Sequence, residues 1–242
     1  MMECPMKNLK YFTLSIGNQS NIISGCHILD NVYTRYTIIY SQSEDTDMNY
    51  HLWGNPNILR LAEFLKVNFV IYDYSGYGNS IGHLTVETLK ENLKRIIKYI
   101  HQEYEVPKNK IILWGSSFGG TLSAEVSKEE NNLCGLILFN APNSMLEYLC
   151  YINNKMNYIE YKKQKRYSND FNTCEALSKV KIPTLVVINH NKTNVPHSTS
   201  FRIYKSALNP VSPYTVHNNN NINLLQNKDA LRRVKEFLIY DI

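Results

Sequence analysis

The stretch KIILWGSSFGGTLSAEVSKEE, residues 110–130, constrains this chain more tightly than any other part of it. An apolar run of strand character, IILW, meets a Gly-x-Ser-x-Gly pentapeptide, GSSFG, and then a segment compatible with a helix. A serine held on a sharp strand-to-helix turn lifts its hydroxyl clear of a sheet, while flanking glycines keep the neighbouring backbone from colliding. The order strand, turn, helix therefore predicts an elbow with Ser117 at its apex. Ser116 takes the variable position, and the Phe118 N–H is a candidate oxyanion donor.

The rest of the chain supplies the surroundings such an elbow needs. Apolar, β-branched runs at 34–41 (TRYTIIYS), 68–75 (NFVIYDYS), 110–115 (KIILWG), 133–140 (LCGLILFN) and 183–189 (PTLVVIN) read as buried strands, with 212–218 (SPYTVHN) as a sixth. Helical patterns lie between them, which is the signature of a mostly parallel sheet covered on both faces. Near the start, LKYFTLSIG and IISGCHIL read as an antiparallel pair joined by the turn residues GNQSN. The clearest helix is TVETLKENLKRIIKYIHQEY. It carries Val86, Leu89, Leu93, Ile96, Ile97, Ile100 and Tyr104 at spacings of three and four behind Thr85, a natural N-cap. A second runs through Leu231, Val234, Phe237 and Leu238 behind Asn227. Residues 144–180 break the rhythm and predict a small helical insertion or cap. The whole length of 242 residues then reads as one α/β domain, 1–242, with that insertion inside it.

Composition narrows the classes of function. Hydrophobic residues make up 43% and charged residues 19%, as in an ordinary globular protein. The net charge is +5, but its Lys and Arg are scattered, with KKQKR at 162–166 the densest run, read as a solvated loop or lid edge. No nucleic-acid partner is expected from such a distribution. Cys4, Cys26, Cys134, Cys150 and Cys174 are odd in number and without CxxC spacing, so neither a disulfide framework nor a zinc site is expected, and no motif calls for a cofactor. The opening MMECPMKNLKYF has no apolar stretch of signal-peptide type, and no run reaches a transmembrane length, so a cytoplasmic chain, at most peripheral to a membrane, is the expectation. Cys4 would accept a palmitate if a lipid anchor exists; an ordinary thiol is the plainer reading.

A second motif sharpens the assignment. DYSGYGNSIG at 73–82 follows a buried strand and precedes the capped helix. From its residues alone it is structural: Gly76 and Gly78 permit a tight turn, and Asp73 can cap nearby N–H groups. Together with RYTIIYS, VPKNKIILWGSSFGG and IPTLVVI, it resembles the α/β-hydrolases, most of all the domain-containing protein 17 group, serine hydrolases that remove palmitate from protein cysteines. The resemblance runs from about Tyr33 to the C-terminus and implies an α/β-hydrolase fold.

It also implies where a serine's partners should lie, since a serine needs a base to take its proton and an acid to hold that base. In chain order the acid follows the strand PTLVVIN, and the matching position here is Thr193; no Asp or Glu lies between Pro183 and Asn227. The alternative acid position after LILFN offers Asn140 and Asn143. The family's histidine falls on Asn221 or Asn219, and His217 lies two to four residues earlier as the candidate base. His190 and His197 are read as surface residues. Where the family carries His-Gly-Asn, this chain has Gln42, Ser43 and Glu44. The Gln42 N–H can still donate to an oxyanion, but Glu44 and Asp45 bring negative charge to it if they point inward. The triad thus reads as degenerate.

Two functions follow. In the first, Ser117 cleaves acyl esters or thioesters, with protein depalmitoylation the specific form the resemblance implies. In the second, the fold is catalytically inactive and binds a lipid or a protein partner. Met145, Leu146, Tyr148, Leu149 and Tyr151 would line an apolar cap over an acyl chain, or simply cover the core.

Overall fold

The computed structural model describes residues 9–17, 21–29, 34–55, 57–130, 132–152, 171–190, 195–217 and 224–242, without the side chains of 150–152 and 224. Cys4, the KKQKR run, Thr193 and the asparagines at 218–221 lie outside the described residues. The chain forms two compact units, one of residues 1–40 and 45–112, the other of residues 41–44 and 113–242. The described strands form an eight-stranded, mostly parallel sheet.

In the first unit the strands are β1 (Leu9–Ile16), β2 (Asn21–Ile28), β3 (Thr37–Ser41, its last residue in the second unit) and β4 (Asn68–Tyr72), in the order β1-β2-β4-β3. The expected N-terminal hairpin is present: β1 pairs antiparallel with β2 in a register that sets Phe12 opposite Gly25. β2 continues antiparallel to β4, and β4 runs parallel to β3. Phe69, Val70, Ile71 and Tyr72 are wholly buried, as expected for a strand covered on both faces. Short helices α1 (Met48–Trp53) and α2 (Ile58–Leu65) separate β3 from β4.

Helix α3 (Val86–Glu103) begins where the sequence places it. Thr85 Oγ1 accepts from Thr88 N at 3.1 Å, and Thr85 N donates to Thr88 Oγ1 at 2.9 Å, a reciprocal capping box. Leu89, Leu93, Ile96, Ile97 and Ile100 form its buried stripe. Ahead of it, the DYSGYGNSIG loop is held by Asp73, whose carboxylate accepts from Met48 N at 2.7 Å and Asn79 N at 3.0 Å. Gly78 has φ +47°, and a Cβ there would run into that carboxylate. The motif is structural here, as its residues alone predict.

The second unit holds β5 (Ile111–Ser116, its first two residues in the first unit), β6 (Gly135–Phe139), β7 (Thr184–Asn189) and β8 (Tyr214–Val216). β6 pairs parallel with β7, and β7 with β8. Helix α4 (Phe118–Ser127) is buried along its whole length, so it needs small residues on every side; Gly119, Gly120, Ser123 and Ala124 supply them. Within the segment read as an insertion lie α5 (Met145–Ile152) and α6 (Thr173–Leu177), followed later by α7 (His197–Ser206). Glu147 on α5 accepts from Thr199 Oγ1 at 2.6 Å and pairs with Arg202 at 2.7 Å, tying α5 to α7.

The C-terminal α8 (Lys228–Glu236) is capped by Asn227 Oδ1, which accepts from Asp229 N and Ala230 N. Ala230, not Leu231, takes the first core position on this helix; Leu231 is half-buried. Phe237 then packs where Gly135 leaves room, since a Cβ on Gly135 would sit 2.9 Å from its ring.

Candidate functional site

The elbow forms between β5 and α4. Ser117 has φ 51° and ψ −122°, a conformation that residues with a Cβ avoid and a sharp turn requires. Its N–H donates to Phe139 O at 2.8 Å, anchoring the turn to β6, and its carbonyl accepts from Gly120 N at 2.9 Å, starting the helix. The two glycines of the pentapeptide have separate jobs. A Cβ on Gly115 would strike the Gly119 carbonyl, and one on Gly119 would strike the carbonyls of Ser41 and Gln42. Gly119 is thus what lets the segment after β3 lie against the elbow.

That segment delivers Glu44. One carboxylate oxygen, Oε1, accepts from Ser117 Oγ at 3.3 Å and from the Tyr148 phenol; the other, Oε2, accepts from Phe118 N at 3.4 Å. The contacts to the elbow are long hydrogen bonds and the one from Tyr148 is the close one. Of the acidic residues after β3, Glu44 points inward, towards the Ser117 hydroxyl and the Phe118 N–H. Tyr148 is 5% exposed and anchored on α5, where its N–H donates to Ser144 O at 3.0 Å. Its apolar ring made it a cap residue in the sequence; its hydroxyl, aimed at Glu44 from 104 positions away, had no local signal. Phe118, buried beside the elbow, meets Phe171 edge-on at 5.3 Å.

Three histidines gather in this unit. His190 follows β7 directly, His217 follows β8, and His197 opens α7. The His190 ring lies 4.8 Å from that of His197 and 5.3 Å from that of His217, centroid to centroid. His190 and His217 are exposed and His197 is half-buried. The sequence sets His190 and His197 apart from His217; the structure brings the three together. Among the described residues, the hydrogen-bond partner of Ser117 Oγ is Glu44, and no imidazole is among its partners. No group of three metal-ligating side chains with metal-binding geometry occurs among the described residues.

The amides at the alternative acid position are engaged in the backbone. Asn140, itself at φ 48°, accepts at Oδ1 from Asn189 N at 3.1 Å, bridging the ends of β6 and β7. Asn143 Oδ1 accepts from Cys174 N at 3.0 Å at the start of α6. Both side-chain oxygens serve as strand and helix caps.

An elbow of this build, on a mostly parallel sheet with helices between its strands, defines an α/β-hydrolase fold, and the chain has that fold. The esterase Pf2001 of Pyrococcus furiosus superposes with a TM-score of 0.73 over 96% of this chain and 91% of its own, at 17% identity. In sequence the chain is similar to the α/β-hydrolase domain-containing protein aho-3 of Caenorhabditis elegans, 25% identical over 98% of this chain and 67% of that protein. It is also similar to α/β-hydrolase domain-containing protein 17C of Mus musculus, 22% identical over 86% of this chain. The chain spans 61% of the length of that mouse relative. Residues 25–135 match the family model described as Chlamydia CHLPS protein (DUF818). The chain is therefore hydrolase-like in fold and in its sequence relatives. No helix among the described residues is long and apolar enough to cross a membrane.

Proposed function

We propose that this chain is a serine-dependent acyl hydrolase acting on esters or thioesters. The observation that carries the reading is Ser117 itself, a non-glycine residue held at φ 51° by glycines on both sides, with the Phe118 N–H beside its hydroxyl. A backbone strain of that kind persists when the surroundings over-determine it, and it is characteristic of functional positions. In this mechanism the Ser117 oxygen adds to the acyl carbon and its proton passes to His217, the candidate base. The Phe118 and Gln42 N–H groups hold the oxyanion. The alcohol or thiol then departs carrying the proton, and water releases the acid from the acyl-serine. Leu146 and Tyr148 of the apolar α5 are buried, and in this reading α5 is the element that covers the acyl chain. Palmitoyl thioesters on protein cysteines are the substrate class favoured by similarity to the domain-containing protein 17 group.

The second reading, a non-catalytic binder of a lipid or protein partner, is favoured by one observation: the described partner of Ser117 Oγ is a carboxylate rather than an imidazole. A fluorophosphonate probe separates the two. Stoichiometric labelling that vanishes in Ser117→Ala supports the hydrolase, whereas folded protein that labels neither as the parent nor as Glu44→Ala or Glu44→Gln leaves the binder. His217→Ala should slow labelling on the order of 10²–10⁴-fold if His217 is the base.

A further inference from the structure

Resting on the hydrolase reading, we propose that Glu44 is a tethered mimic of the acid product, and that it holds the acyl site closed until substrate displaces it. When an acyl-serine is hydrolysed, the product carboxylate leaves one oxygen at the oxyanion N–H and the other at the regenerated serine hydroxyl. The Glu44 carboxylate presents that same pair: Oε2 to Phe118 N at 3.4 Å and Oε1 to Ser117 Oγ at 3.3 Å. Tyr148 adds a third donor to Oε1 from α5, the element proposed to cover the acyl chain.

The surroundings fit a plug more closely than a fixed strut. The backbone of Glu44 is positioned close by, because Ser41 and Gln42 carbonyls rest against the space that Gly119 leaves open. The carboxylate is then carried on a side chain with three rotatable bonds, and it is half-buried, within reach of water. Its described partners are three neutral donors, without a Lys or Arg among them. Two of those contacts are long and weak ones that water or a substrate carbonyl can replace. Release therefore requires a change of rotamer rather than a rearrangement of the fold. An ester entering the site must take the Phe118 N–H away from Glu44, so the plug acts as a competitor at full effective concentration and raises the apparent KM.

The test is the rate at which a fluorophosphonate labels Ser117. In that reaction the serine oxygen forms a bond to phosphorus as the P–F bond breaks, fluoride leaves with the electron pair, and the hydroxyl proton passes to the base and on to water. Glu44→Ala should label at least about tenfold faster than the parent, and the isosteric Glu44→Gln, which guards against a folding defect, should label faster as well. Tyr148→Phe, losing one of three donors, should give a smaller gain. With a p-nitrophenyl ester the Glu44 variants should show the effect as a lower KM with kcat little changed. Labelling that is unchanged or slower in both Glu44 variants, while the parent labels and Ser117→Ala does not, overturns the plug and leaves the reactive serine standing. Absence of labelling in the folded parent and in both Glu44 variants overturns the serine reading and the plug with it.

Discussion

Ser117 holds its hydroxyl in place through a backbone conformation that costs a residue bearing a Cβ about 1–3 kcal/mol. Glycine carries no such cost, although it has about 0.5–1 kcal/mol more chain entropy to lose on folding. Strain is the larger of the two. Ser117→Gly should therefore unfold at a higher urea concentration than the parent, by about 1 kcal/mol, while losing all reaction with the fluorophosphonate. Gly119→Ala should do the opposite. Its methyl has backbone carbonyls as neighbours, not a flexible side chain, so no small adjustment relieves it. A loss of several kcal/mol, on the order of the largest single-residue effects, is expected in the same urea titration. At this scale the pentapeptide was legible in the sequence because the turn demands particular residues at fixed spacing. Glu44 was legible as a charge near the site but not in its direction, since that depends on donors 73 to 104 positions away.

The elements were read well where their signal is local. Periodicity and the Thr85 and Asn227 caps placed α3 and α8, and β-branched runs placed the strands, with most ends inside the apolar runs and β5 reaching one residue past its run, to Ser116. The two caps differ in a way the sequence does not display. Thr85 is exposed, and water can take over its N–H partners once the side chain is removed; Asn227 is buried and serves two N–H groups at 3.1 and 2.9 Å. Thr85→Ala should cost about 0.5–1 kcal/mol and Asn227→Ala about 2, the upper end for a cap, because it leaves the buried Ala230 N–H without its acceptor. Thermal unfolding followed by circular dichroism measures both. What periodicity leaves out is pairing across long separations. That His190, His197 and His217 share one cluster follows from β7 and β8 being neighbours with α7 beginning between them in sequence, and no single run of residues encodes it.

For the molecule as a whole, two histidines in the first unit weaken resistance to acid. His27 on β2 is fully buried, meets the Tyr104 ring edge-on at 4.3 Å, and has neither ring nitrogen hydrogen-bonded among the described residues. Burial pushes its pKa down from 6.5 to about 4, and burial does the same to His51, against an opposing pull from Asp47 and Asp45. The folded state thus resists protonation where the unfolded chain accepts it. Above pH 6.5 neither group affects stability; as pH falls from 6.5 towards 4 the unfolded chain binds more protons and stability is lost, by ~3 kcal/mol per group at the limit. Urea midpoints at pH 7 and pH 5 should show the fall, and His27→Phe should remove about half of it. The sealed imidazole also offers a clock. Diethyl pyrocarbonate attacks neutral imidazole, and His27 is neutral above its lowered pKa yet fully buried, with the Tyr104 ring edge-on to it. Its carbethoxylation, read by peptide mass, can proceed only during moments when its surroundings part, so the rate of one side reaction times the breathing of a sheet that unfolding curves record only as intact or lost.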